Sequence, residues 1–350
     1  MMMKRILIFL MMVLLLQVAY GQKPRIIILA TGGTIAGQGA SADRAGYTAG
    51  KIPVSDLIGS IPSIKNIAEV SGEQISAVGS QDMSLEIWKK LAIRINEIFS
   101  KKEADGIVIT HGTDTQEETA YFLDLVVAFD NPVVLTGAMR ASTAISADGP
   151  KNLFDAITLA ADPKAKGRGV LVSFNESIFS SRDVTKLNTT KVNAFGSPNS
   201  GPVGQVFDGK VEFYKSSDRQ VSPLAPFKID NNTVFPKVEI AYAYADASPA
   251  YLDLLVKDKA AGIVIAGVGN GNFSKAFTSV VKKAVAAGIA VCRSSRCVSG
   301  RVVEDGEVND KELGTIVSDD LNPQKARILL MLGLLKTHNT AELQRYFLRY

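Results

Sequence analysis

Two short runs set hydroxyls and a carboxylate among glycines. They are Thr31-Gly32-Gly33-Thr34 and His111-Gly112-Thr113-Asp114-Thr115. A third, Arg182-Asp183-Val184-Thr185-Lys186, ends in an amine. Two threonine hydroxyls, a carboxylate, an amine and nearby backbone N–H groups make a set for acyl transfer through a hydroxyl nucleophile without histidine. A threonine hydroxyl is a poor nucleophile at neutral pH and needs a base, which Lys186 can be only if burial favours its neutral form or if Asp114 relays the proton. Its β-branch helps by restricting χ1. The Thr113 N–H, at a strand-to-helix turn, suits an oxyanion donor, a contact worth about 3 kcal/mol in comparable enzymes.

Taken singly these pieces say little. A Gly-Gly pair after a strand is usually only a turn, and a lone lysine in a polar loop is usually solvated. The loop Gly267-Val268-Gly269-Asn270-Gly271-Asn272 breaks the spacing of a dinucleotide fingerprint, and neither a phosphate-binding P-loop nor a G-x-S-x-G elbow occurs. His111 reads as a satisfied structural histidine and His338 as a surface residue.

The chemistry works only if the runs converge, and the pattern of elements says how. Apolar runs typical of buried parallel strands span Arg25–Ala30, Gly106–Thr110, Pro132–Thr136, Gly169–Phe174, Val238–Tyr242, Gly262–Ala266 and Ala290–Cys292. Helical patterns separate most of them. Leu85, Trp88, Leu91, Ala92, Ile95, Ile98 and Phe99 form one stripe, Asn152 to Ala161 is a second helix, and Asn322-Pro323 opens a third. Val206 to Val211 reads as a hairpin turning on Asp208-Gly209. The fold class is therefore α/β, with a larger N-terminal, open, mostly parallel sheet domain with flanking helices over 22–214. A polar, proline-broken linker covers 215–235, and a smaller C-terminal α/β domain covers 236–350. Ligands of open α/β sheets bind beyond the carboxyl ends of the strands, which is where the hydroxyl-bearing runs begin. Gly37 to Lys51, rich in small residues and carrying Tyr47, is expected to form a lid.

Composition narrows the classes further. The 350 residues are 46% hydrophobic and 21% charged with net charge +4, which excludes a disordered chain and gives no basic surface for nucleic acid. Two histidines and two cysteines make no zinc-ligand cluster, and neither a metal nor a cofactor is implied. Cys292 and Cys297 are five apart, too far for a disulfide if the run is extended, and both are expected free and buried, with a turn between them in an oxidising compartment as the alternative that would let them pair. Lys4-Arg5, the apolar run Ile6–Leu16 and the small residues Ala19 and Gly21 form a signal peptide over 1–21 with cleavage after Gly21. The expected product is exported and periplasmic, with no membrane segment in its mature form.

With those residues in view, the chain resembles the bacterial type II L-asparaginase and glutaminase-asparaginase family. The resemblance lies in Ala30-Thr31-Gly32-Gly33-Thr34-Ile35-Ala36 and in Gly106 through Thr115 with Glu117-Glu118-Thr119. It continues through Ser80-Gln81-Asp82-Met83, Ser146 to Pro150, Arg182 to Lys186, Gly269 to Asn272 and Leu321 to Arg327, nearly the whole mature chain in order. It implies an amidohydrolase that releases ammonia from the asparagine side chain through a threonine nucleophile and an acyl-enzyme. On that resemblance Thr34 is the nucleophile, assisted by Tyr47 and Glu307, and Thr113, Asp114 and Lys186 form the second hydroxyl-carboxylate-amine group. Ser80, Gln81, Thr113 and Asp114 bind the substrate, and Asn272 and Glu307 reach the site from a neighbouring subunit of a homotetramer. Ala141 stands where many members have proline. The alternatives are a dual enzyme with comparable activity on glutamine, since one methylene is worth only about 1–3 kcal/mol of discrimination, and an exported amino-acid binding protein.

Overall fold

A computed structural model describes residues 22–39, 41, 46–215 and 225–350. The expected signal peptide, part of the expected lid and residues 216–224 of the expected linker lie outside the described residues. In the first part of the chain the strands are β1 (Arg25–Gly32), β2 (Gln38–Gly39), β3 (Tyr47–Thr48), β4 (Glu69–Val78), β5 (Gly106–Thr110), β6 (Val133–Thr136), β7 (Val170–Phe174), β8 (Ser177–Ser180), β9 (Thr185–Lys186), β10 (Phe195–Gly196), β11 (Gly204–Phe207) and β12 (Lys210–Phe213). The helices between them are α1 (Val54–Gly59), α2 (Leu85–Ser100), α3 (Gln116–Val126) and α4 (Gly149–Ala161).

Eight of these strands form one sheet in the order β12-β11-β8-β7-β6-β5-β1-β4. The pairings from β4 to β7 are parallel and those from β7 to β12 antiparallel, so the sheet is mixed, with its parallel half at the site. The parallel strands read as unbroken apolar runs because both faces are covered. Ile27, Leu29, Ile107 and Ile109 pack with Trp88, Leu91, Ile95 and Phe122 on one face. Ile26, Ile28, Val108 and Val134 pack with Leu153 and Ile157 on the other. Helix α2 starts where Ser84 Oγ accepts the Ile87 N–H at 3.3 Å. Its Trp88 stacks on Phe122 at 5.0 Å.

A second sheet, β13 (Val238–Tyr242), β14 (Gly262–Gly267), β15 (Ala290–Ser295) and β16 (Ile316–Val317), is parallel throughout in that order. It carries helices α5 (Ala250–Lys257), α6 (Lys275–Ala286), α7 (Asp310–Leu313), α8 (Pro323–Leu334) and α9 (Thr340–Arg349). Asn322 caps α8 by accepting the Lys325 N–H at 3.1 Å, with Pro323 at the first helical position as its sequence signals. Part of the expected linker is core: Phe227 is buried, with its ring 5.5 Å from that of Tyr346. Among the described residues no helix is long and apolar enough to cross a membrane.

Both cysteines are free, as expected, but only Cys292 is buried. Cys297 is exposed because it lies past the end of β15, in a turn where its N–H donates to Ser295 Oγ at 3.0 Å. The extended geometry assumed for the pair stops two residues short of it.

Candidate active site

Strand β1 pairs with β4 on one side and β5 on the other, so the chain changes direction across the sheet at β1. Such a switch point opens a crevice at the carboxyl ends of the strands. Ala30 is in register with Thr110, and Gly32 with Val78. The three strands therefore release Thr34, Ser80 and Thr113 at one edge of the sheet.

Close backbone packing brings the first and third of these together. Gly33 has φ 79°, and a Cβ there would lie 2.3 Å from Gly112 N and 2.4 Å from Gly112 Cα. Only glycine allows this approach. Thr34 and Thr113 directly follow the two touching glycines, and both are buried. Gly112 is equally tight against Ser80, whose Oγ would be 2.6 Å from an added Cβ. Ser80 Oγ accepts the Asp114 N–H at 3.1 Å, and Ser80 O accepts the Thr115 hydroxyl at 2.8 Å. The neighbouring Gln81 is exposed and donates from its amide to Asp82 Oδ2 at 3.3 Å.

Lys186 completes the cluster. Its Nζ donates to Thr113 Oγ1 at 2.8 Å and to Asp114 Oδ1 at 2.7 Å. The amine thus bridges a hydroxyl and a carboxylate from adjacent positions of one turn. Two further charged side chains hold the segment that carries it. The Lys186 N–H donates to Glu117 Oε2 at 2.6 Å, while Glu117 Oε1 accepts from Gln324 Nε2 at 2.6 Å and from Asn322 Nδ2 at 3.0 Å. Lys325 is buried and donates from Nζ to the carbonyls of Arg182 and Val184. Its burial pushes its pKa down to about 8, with Glu117 and Asp183 opposing the shift. Glu117 and Lys325 are roles that the sequence reading did not assign. Each sits inside a recognised run, but its partners come from elsewhere in the chain. An open cavity of about 340 Å³ lies against Asp114, Glu117, Lys186 and Gln324.

Asn272 and Glu307 stand apart from this cluster. Both are on loops of the second domain, where Asn272 Nδ2 donates to Glu307 Oε2. Among the described residues, neither bonds to the cluster around Thr34 and Thr113. Their loops are anchored by Arg293, a fully buried guanidinium in β15. Arg293 donates to Asp310 Oδ1 and Oδ2 at 2.6 and 2.5 Å, to Asn270 O at 3.0 Å and to Val303 O at 3.1 Å. Tyr47 lies on the two-stranded ribbon that pairs Gly39 with Tyr47 and Gln38 with Thr48. Ile52 N–H to Ala36 O, at 2.9 Å, closes the ribbon back onto the turn after Thr34.

His111 takes no part in the cluster by charge. It is fully buried, and burial pushes its pKa down to about 4, so it is neutral near neutral pH. Its expected reading as a satisfied structural histidine holds, since both ring nitrogens are bonded. His338 is exposed between α8 and α9.

The Thr34 turn packs backbone to backbone on a turn whose Thr113 hydroxyl and Asp114 carboxylate share one amine, at a switch-point crevice of an α/β sheet, an arrangement suited to acyl transfer. Comparison with known proteins agrees. The family described as Asparaginase, N-terminal, matches residues 25–219, and the Glutaminase/Asparaginase C-terminal domain matches residues 237–347. L-asparaginase 2 of Escherichia coli (strain K12) is 49% identical over 327 residues, covering 93% of each chain. A glutaminase-asparaginase of Pseudomonas fluorescens biotype A is 43% identical, covering 93% of this chain and 90% of that protein. The crystal structure of a probable cytoplasmic L-asparaginase from Campylobacter jejuni superposes with a TM-score of 0.90 at 47% identity, covering 94% of this chain and 100% of that one. The chain belongs to the asparaginase family.

Proposed function

We propose that this protein is an L-asparagine amidohydrolase. The observation that carries the reading is the Lys186 Nζ contact to both Thr113 and Asp114, beside a Thr34 turn packed backbone to backbone on the Thr113 turn. Thr34 Oγ attacks the side-chain amide carbon of asparagine, and its proton passes to the Thr113–Lys186–Asp114 group. The tetrahedral intermediate breaks its C–N bond, the nitrogen takes a proton and leaves as ammonia, and an ester to Thr34 remains. Water, giving up its proton to the same group, attacks the ester, and aspartate departs with the Thr34 hydroxyl restored. Ser80 and Gln81 have the donors to hold the α-carboxylate, and Asp114 can pair the α-ammonium. Tyr47 assists from the ribbon that follows the Thr34 turn.

Asn272 and Glu307 complete the site from a neighbouring copy. In support, within one chain they pair with each other and have no bond to the Thr34 cluster among the described residues. The assembly is a homotetramer, checked by light scattering of the full chain. Export to the periplasm with cleavage after Gly21 is checked by cell fractionation and N-terminal sequencing. A curated relative of Haemophilus influenzae, 49% identical over 324 residues, is named a probable periplasmic L-asparaginase.

The test is ammonia release from purified protein given asparagine, with glutamine as the second arm because the Pseudomonas relative is named for both amides. Thr34→Ala is expected to lower kcat by at least about 10³, as for loss of a covalent nucleophile. Turnover within tenfold of wild type would remove Thr34 from that role. Binding of asparagine without ammonia release would favour a binding protein instead.

A further inference from the structure

His111 is fully buried one residue before the Gly112-Thr113 turn, and its ring sits in a chain of hydrogen bonds running outward from the core. Trp88 Nε1–H donates to Thr119 Oγ1 at 2.7 Å. The Thr119 hydroxyl then donates to His111 Nε2 at 2.8 Å. That leaves Nδ1 carrying the ring proton, which it donates to Gly112 O at 2.7 Å. Trp88 and Thr119 are buried as well. The donor order has one self-consistent solution: a carbonyl can only accept, so Nδ1 carries the proton, and in the neutral ring Nε2 must accept from the Thr119 hydroxyl.

The acceptor at the end of this chain is half of the peptide group joining Gly112 to Thr113. A peptide group is planar, and in the trans form its C=O and N–H point in opposite directions. Pinning the carbonyl toward the core therefore aims the Thr113 N–H away from it. For that N–H no acceptor stands among the described residues, although Thr113 itself is buried and the next N–H along, that of Asp114, is bonded to Ser80 Oγ. An N–H of a buried turn residue with no protein acceptor among the described residues calls for a role. The same turn presents Thr113 Oγ1 to Lys186.

We propose that His111 is a positioning residue which, by holding the Gly112 carbonyl from the core side, aims the Thr113 N–H at the oxyanion formed on the substrate's amide carbon. This rests on the amidohydrolase reading above. The histidine transfers no proton in this role and touches no substrate. It acts as a neutral, tautomer-locked strut whose far end is set by Thr119 and Trp88. The arrangement suits a donor that must be in place before charge develops, since preorganised donors cost no reorganisation during reaction.

The test uses the full chain with His111→Ala, His111→Asn and Thr119→Val. The asparagine side-chain amide can reproduce the Nδ1 donor at nearly the same position, while alanine removes it. Trp88 is the sole tryptophan, so its emission reports directly on packing around Thr119 in each variant. For a misaimed oxyanion donor, His111→Ala is expected to lower kcat about 10- to 100-fold with KM changed by less than about threefold. His111→Asn should recover at least about fivefold of that loss, and Thr119→Val should lower kcat by about fivefold at unchanged KM. Folded His111→Ala with kcat within about twofold of wild type would overturn the proposal. So would His111→Asn no more active than His111→Ala, or, should the alanine variant not fold, full activity in both other variants. Wild-type protein that releases no ammonia in the same assay fails the amidohydrolase reading itself, a result separate from any ratio between variants.

Discussion

Lys186 Nζ stands 2.8 Å from Thr113 Oγ1, a contact that spans 73 residues of sequence. It joins a two-residue strand to a strand-end turn of the large sheet, and the same amine reaches Asp114 at 2.7 Å. Because the amine is the shared partner, its removal should be felt at both groups. Lys186→Met is expected to lower kcat on asparagine by about 10²–10⁴, the range for loss of a general acid–base group. Steady-state ammonia release, with circular dichroism to confirm folding, checks this. A loss confined to KM would make Lys186 a binding group.

The Arg293–Asp310 pair should matter for stability more than for chemistry. Both side chains are buried, and Asp310 also accepts from the Thr315 hydroxyl and the Asp305 N–H. Arg293→Met leaves that carboxylate without its counter-charge. Removing one partner of a buried pair costs about 3–5 kcal/mol, to be read from the urea midpoint. The same change frees the carbonyls of Asn270 and Val303, so the loops bearing Asn272 and Glu307 should gain hydrogen exchange.

Glu118 on α3 predicts a pH-dependent stability. Burial, with the adjacent Glu117 charge, raises its carboxyl to about 7, against opposing pulls from Arg327 and Lys325. A carboxyl raised on folding binds its proton more tightly in the native state. Its contribution therefore falls as pH climbs from the ordinary carboxylate value through about 7. Glu118→Gln should raise Tm at pH 8 relative to wild type and lose that advantage near pH 4.5, as scanning calorimetry at the two pH values would reveal. An equal gain at both would assign the effect to packing.

The two thiols should separate cleanly. Cys292 is fully buried, which pushes its thiol pKa up, while Cys297 is exposed. Only the thiolate reacts. A thiol reagent at pH 8 is expected to titrate one cysteine per native chain and both after denaturation. Labelling of Cys292 in native protein would show that β15 opens locally.

How much of this was legible beforehand depends on where each element finds its partners. Strands β5 and β13 keep the bounds their apolar runs predict, because burial on both faces writes itself into consecutive residues. Strand β4 went unread. It is an edge strand whose Glu69, Glu73 and Gln74 mix with small residues, so it carries no apolar run. Thr34, Thr113 and Asp114 could be picked out because glycines mark the strand ends that present them. Glu117 could not, since its role comes from Asn322 and Gln324, more than 200 residues further on. The burial expected for Cys297 failed because the strand ends at Ser295 and the chain turns outward there.

The bonds from Asn322 and Gln324 to Glu117 carry a consequence for anyone hoping to shorten the protein. A fragment stopping near residue 215 would strip a buried carboxylate of two of its three donors, just where it braces Lys186. Such a fragment is expected to lose turnover, and the two pieces to regain it only by docking with each other again.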